Sequence, residues 1–452
     1  MGKVVSGLKR RDFLKQSAAA TTAVAFPYLW IPKTGSASTG KWPSIDSSKP
    51  IKIGILFSLS GAEKVYSHDI YKIALMAVED INKAGGIHGA RLEPVVRDPG
   101  SHWPNYTRYA KELSGLNVNI IWGCIVSASR EAALPAIKQE GGLLYYGMLY
   151  EGRGCSHNMI ATGSCPNQQT EVSIPWIMKR TGPKTYILGS NYIFPHTMSK
   201  QARITLRRHG GKVLGDEFFT FGIADSAPFE SVVKDIEKKK PDWILSNLVA
   251  DNIGGFLKAF RDAGLTPDRI PILHTGMFEA SVAAIGPELC AGHYSTATYF
   301  QTIDTPSNRE FVKRFQFFVG SRPEWRNETG VLTTLAQGVY TGALACKEAM
   351  IKANSAHPGA VREASRGLVL KAPEGYDVKI DSENLHAWLR PHIGKVNDRG
   401  LFDIVYESPV WVRPEVFNPE MDPHRKCRDG GQFFIKGVKV PGPKVTRRIV
   451  PQ

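Results

Sequence analysis

NIIWGCIVSASREAALPAIK, residues 119–138, passes from an apolar run through Gly123 into two serines and then a patterned helix. A short, continuously apolar run is the profile of a strand buried on both faces of a parallel sheet. The helix that follows covers one of those faces, so the stretch reads as the first half of a βαβ unit. Outward from it, IKIGILFS (51–58), RLEPVVRD, GLLYYG, TYILGS, DWILSN and PILHT repeat the strand profile. Behind the first of these, Ile70, Ile73, Ala74, Ala77, Val78 and Ile81 recur at helical spacing, and Gly85-Gly86 stops the helix. Further helical patterns fall at 127–139, 168–180, 196–209, 227–239, 252–263, 305–318 and about 330–353. Strand and helix alternating this way predict an α/β protein with doubly wound parallel sheets. KAPEGYDVKID and GLFDIVYES, later in the chain, read as a β-hairpin pair.

A chain of 452 residues exceeds the about 250–300 at which single cores stop growing, which predicts two lobes. In open sheets of this class ligands bind outside the carboxyl ends of the strands, where loops and helix N-termini present N–H groups. Small or polar residues stand at those ends repeatedly: Ser58 and Ser60, Ser127 and Ser129, Tyr146, Ser190 to Tyr192, Asp251 and Asn252, and His274 to Glu279.

Catalytic signatures are missing. A nucleophile elbow needs glycines two positions either side of its serine, and Ser127 has Ile125 and Ser129 there, so Ser127 is expected to cap a helix or hydrogen-bond a ligand. No Walker A or GxGxxG phosphate loop occurs, no histidine pair has metal-site spacing, and Asp98 before Pro99 reads as a turn former. No catalytic residue, metal or cofactor is therefore expected. The six cysteines show no CxxC pairing; Cys155 and Cys165 could be joined in an oxidising compartment, or remain buried thiols.

The formal charge is +15, of which residues 1–37 contribute +5. That segment has paired Arg10-Arg11 followed by Phe13 and Leu14, a mildly apolar run broken by Pro27, and small residues at Gly35-Ser36-Ala37. It resembles a twin-arginine export signal, which implies passage through the twin-arginine translocase and a periplasmic location. Basic residues gather again after Pro419, in a Pro/Gly/Lys-rich extension (419–452) for which no regular structure is expected. Neither an RNA-type aromatic motif nor zinc-finger spacing accompanies them, so the basic residues read as a solvated tail and not as a nucleic-acid surface.

Several dispersed stretches, LFSLSG, INKAGGIHGARLEPVVRDPGSHWP, GCIVSASREAALP, LLYYGMLYEG, CPNQQ, LGSNYIFP, DNIGGFLKAFRDAGL and YFQTIDTPSNREFV, carry a resemblance in the same order along the chain. From residue 51 to about 418 the sequence resembles periplasmic solute-binding proteins of the branched-chain amino acid type, within them the urea and short-chain amide subfamily of ABC importers. The resemblance implies a type I periplasmic binding protein fold, with two lobes joined by three hinge crossovers near 165, 299 and 374. The N-terminal lobe would take 51–165 plus 300–374 and the C-terminal lobe 166–299 plus 375–418. It also implies hinge closure over a small-molecule ligand and docking of the closed form on an inner-membrane ABC permease.

Carried over by motif, Ser127 would hydrogen-bond the ligand at a helix N-terminus, Tyr146, Tyr150 and Tyr192 would wall the site, and Met148 would stand with them. Asp251 and Glu279 would offer carboxylates from the second lobe. The urea-type pattern has an aromatic and a hydroxyl residue where this chain has Ile125 and Val126, and Pro-Val-Gln where it has Gly147, Met148 and Leu149. The expected ligand is therefore a neutral amide with a larger apolar portion than urea. A branched-chain amino acid is the alternative ligand, and an amide-sensing regulator of the same fold the alternative role.

Overall fold

The computed structural model describes residues 42–434 apart from 62, 326–329 and 429–430. The export segment 1–37 and residues 435–452 of the basic extension lie outside the described residues. Among the described residues no helix is long and apolar enough to cross a membrane.

The first sheet holds β1 (Ile51–Leu56), β2 (Leu92–Arg97), β3 (Ile120–Gly123), β4 (Leu143–Tyr146) and β5 (Met159–Ala161), all parallel, in the order β2-β1-β3-β4-β5. Its crossovers are α1 (Lys64–Lys83), α2 (Trp103–Gly115) and α3 (Ser127–Gln139). β3 and β4 are buried at every position, as strands covered on both faces must be. Strand order reverses between β1 and β3, and their carboxyl ends approach so closely that a Cβ on Gly123 would lie 2.7 Å from the Leu56 carbonyl oxygen. Glycine at the end of NIIWG is thus what lets the crevice at this switch point form.

After α4 (Pro166–Thr181) the chain builds β6 (Lys184–Ser190), α5 (Ile193–Arg208), β7 (Lys212–Phe219), α6 (Glu230–Lys239), β8 (Trp243–Asn247), α7 (Asp251–Asp262), β9 (Ile272–His274), α8 (Glu279–Ile285), α9 (Pro287–Cys290) and β10 (Tyr294–Ala297). It then returns to the first lobe as α10 (Pro306–Gly320), α11 (Thr334–Ala353) and α12 (Pro358–Ser365), with α11 packed on α1 and β4. A small antiparallel sheet follows, β11 (Val369–Lys371), β12 (Asp377–Ile380) and β13 (Ala387–Trp388). Finally β14 (His392–Val396) and β15 (Phe402–Glu407) complete a seven-stranded second sheet ordered β15-β14-β10-β9-β8-β6-β7. β14 runs antiparallel to β10, β15 turns back antiparallel to β14, and the strand order reverses between β6 and β8.

Four differences from the sequence reading have physical causes. The third passage between sheets falls between Trp388 and His392, later than 374, because β12 pairs with β11 and the Ala161 amide bonds the Leu385 carbonyl, which holds 375–388 beside the first sheet. KAPEGYDVKID and GLFDIVYES fall in different sheets, the former pairing with β11 just before it and the latter with β14. Cys155 is bonded to Cys427, while Cys165 is a buried free thiol. That bond ties down the start of the basic extension, where β16 (Arg425–Arg428) pairs with β17 (Gly431–Phe434), against the expectation of no regular structure there.

Candidate functional site

Both switch points open onto one cleft. Its cavity, about 580 Å³ of space free of protein atoms with the open mouth included, is walled from the first lobe by Tyr66, Ile125, Val126, Ser127, Met148, Leu149 and Leu335. From the second lobe come Tyr192, Phe194, Phe221, Val249, Gly276 and Phe278. Each of these except Tyr66 and Leu335 follows the carboxyl end of a strand; those two sit in the first turns of α1 and α11. Only Tyr66, Ser127 and Tyr192 bring polar side chains to the wall, which is otherwise aliphatic and aromatic.

Of the residues expected from sequence, Ser127, Met148 and Tyr192 line the cavity, as do Ile125, Val126 and Leu149. Ser127 is the first residue of α3, where the N–H groups of the opening turn have no partners within the helix. Its hydroxyl donates to Glu151 Oε2, so only its lone pairs remain to be offered. Tyr192 is held by an edge-to-face contact with Phe221 at 5.8 Å between ring centroids. The loop carrying Met148 lies against α11 at Gly338, where a Cβ on Gly147 would come within 2.8 Å of the Gly338 carbonyl carbon. The Pro-to-Gly departure from the urea-type pattern is thus a packing requirement in this chain.

Tyr146 and Tyr150 are fully buried behind the wall. Tyr146 donates to the Ile125 carbonyl at 2.9 Å, which fixes the Ile125–Ser127 loop from below. Tyr150 hydrogen-bonds His386 Nε2 and packs edge-to-face on Tyr146. Burial pushes His386 down to about 4, so its ring is neutral; Nδ1–H serves the Asn384 carbonyl, leaving Nε2 to accept from Tyr150. Both tyrosines lie under the Arg130 guanidinium, whose carbon is 5.4 Å from the Tyr146 ring centroid and 4.7 Å from that of Tyr150.

Sequence reasoning did not single out the Arg130–Glu151 pair, which holds Ser127 from behind the cavity wall. Arg130 Nη2 bonds Glu151 Oε1 at 2.7 Å, with both side chains 3% exposed. Burial opposes the Arg130 charge, and Tyr146, Glu151 and Tyr150 outweigh it, raising its pKa. The signal was available: SREAALP puts Arg130 one turn into the helix whose first residue is Ser127, and YEG puts Glu151 on the loop opposite.

The two carboxylates expected from the second lobe are not in the cavity wall. Asp251 begins α7 and is exposed, facing a separate cavity. Glu279 is buried beside Phe278; Oε1 accepts the Gln301 N–H at 2.8 Å, and Oε2 has no partner among the described residues. Burial raises Glu279 to about 8, so at neutral pH it is an uncharged acid and no anionic acceptor.

The consequence for stability is testable. Between about 4.5, its ordinary value, and about 8 the folded chain keeps a proton that the unfolded chain has released, so stability falls as pH rises through this window. Glu374, raised by burial to about 7, acts in the same direction. Glu279→Gln is expected to flatten the decline of the melting temperature from pH 5 to 8, leaving the Glu374 part in place. An unchanged slope would mean that Glu279 ionises normally.

A profile described as the periplasmic binding protein domain matches residues 51–423. The "Leucine-, isoleucine-, valine-, threonine-, and alanine-binding protein" of Pseudomonas aeruginosa is 24% identical over 341 residues, covering 74% of this chain and 87% of that protein. Among solved structures, a solute binding protein of an ABC transporter from Rhodopseudomonas palustris BisB5, in complex with 3,4-dihydroxybenzoic acid, superposes with a TM-score of 0.70 at 22% identity, covering 82% of this chain and 99% of that one. The branched-chain amino acid transporter substrate binding protein LivJ of Streptococcus pneumoniae, in complex with isoleucine, gives 0.66 at 18%, covering 80% and 100%. With the family profile spanning both lobes and the cavity seated at both switch points, this chain belongs to the periplasmic binding protein family.

Proposed function

We propose that the chain is the solute-capturing component of an ABC importer, exported by the twin-arginine route, and that it takes a neutral carboxamide with an apolar substituent into the interlobe cleft. The observation that carries the ligand class is the polar pair at the head of α3. Ser127, having donated its proton to Glu151, can only accept, and beside it the first-turn N–H groups can only donate. A primary amide supplies N–H donors for the hydroxyl and a carbonyl acceptor for the amides. The aromatic and aliphatic wall receives the rest of the molecule, which urea lacks.

A branched-chain amino acid has support from the name of the Pseudomonas relative and from the apolar wall. Against it, the ammonium group would need a carboxylate, and Asp251 and Glu279 stand outside the cavity wall. Calorimetric titration of the exported chain with urea, acetamide, butyramide, benzoate and leucine decides between them. Butyramide is expected to bind about 10-fold tighter than acetamide, since each buried methylene contributes about 0.8 kcal/mol, and urea is expected not to bind. Tight leucine or benzoate binding without amide binding would overturn the proposal.

A further inference from the structure

A second cavity, about 830 Å³ with its open mouth included, lies between α7 and α8. Tyr66 is the one residue that lines both it and the ligand cavity. The second chamber is floored by small residues, Gly254 and Gly255 of α7 and Ala280 and Ala284 of α8, with Asp251 and Lys258 two turns apart on α7. The Tyr66 hydroxyl between the two is shielded from solvent and has no hydrogen-bond partner among the described residues. The hydroxyl lies by the Ala250 backbone and the Asp251 carboxylate without a hydrogen bond of full geometry, so packing is the main restraint on this ring.

We propose that Tyr66 is a length gate: its ring closes the ligand cavity against the chamber between α7 and α8, and that chamber takes the far end of an unbranched ligand too long for the first. The small floor residues leave room for an alkyl chain, and the exposed Asp251 and Lys258 suit a ligand whose distal end is polar. This rests on the reading that the cleft holds a small molecule with an apolar tail, but not on the amide head group. It also gives Asp251 a place in recognition that the first cavity denies it.

The test is a length series on the full exported chain: the four-carbon and eight-carbon primary amides, and the carboxylic acids of the same lengths, titrated calorimetrically. The wild type is expected to favour the four-carbon member by at least 10-fold. Tyr66→Ala should reverse that order, and adding Ala284→Phe, which refills the exposed end of the chamber, should restore it. Tyr66→Phe should keep the wild-type order, because the ring and not the hydroxyl forms the gate. Equal weakening of both lengths by Tyr66→Ala, or no effect of Ala284→Phe in that background, overturns the gate. Should only the acids bind and show the same reversal, the amide reading fails and the gate stands.

Discussion

Replacing Arg130 by methionine is expected to lower the unfolding free energy by about 3–5 kcal/mol and to abolish ligand capture, because it leaves the Glu151 carboxylate buried without its cation. The pair is 2.7 Å apart and nearly inaccessible, and Glu151 also accepts the Ser127 proton, so stability and recognition share one network. Arg130→Met combined with Glu151→Gln removes both charges. It should recover most of the stability measured by denaturant unfolding, while binding recovers only in part, since Ser127 would be free to rotate its proton away from residue 151. If the single and double variants were equally unstable, Arg130 would matter as filler and not as a counter-ion.

The second large effect concerns Cys155 and Cys427, bonded across 272 residues. Replacing both by serine is expected to reduce stability by about 2–5 kcal/mol, mostly by freeing the unfolded chain, and to steepen the denaturant dependence as more surface is exposed. The native segment should stay docked, because Arg153 holds Asp422 at 2.7 Å, Arg153 N–H bonds the Val416 carbonyl, and Asn418 bonds Gln201 in the second lobe. A wild type whose unfolding curve is unmoved by reductant would show that the bond contributes little.

The central strands were legible because burial on both faces leaves continuous apolar runs such as IIWG and LLYY, whose meaning is local. KVLGDEFF (β7) was not read, since an edge strand with exposed polar positions carries no such run. β10 escaped because Ser295 and Thr296 interrupt any apolar run. The cavity wall at Ile125 to Ser127, Met148, Leu149 and Tyr192 was found from strand ends and motif resemblance. Aromatic wall members such as Phe221 and Phe278 could not be told from core residues without knowing which way their loops turn. Asp251 and Glu279 mislead for the opposite reason: a carboxylate near a strand end does not announce whether it faces the cleft, solvent or the core. The Cys155–Cys427 bond is legible only in three dimensions, as its partners meet through the last described residues of the chain.

The interleaving of the lobes bears on how the chain is made. α11 seals the first lobe against α1 and β4, yet it lies some two hundred residues downstream of the sheet it covers, and the second sheet waits for β14 and β15 at its other edge. Neither lobe can finish before the later elements that complete it, α11 for the first and β14 and β15 for the second, have left the ribosome. Folding of this chain is therefore governed by distant contacts, which are slow to close and leave apolar strands uncovered meanwhile. A ribosome-release experiment in which protease resistance appears only once residues beyond 407 have emerged is the corresponding expectation.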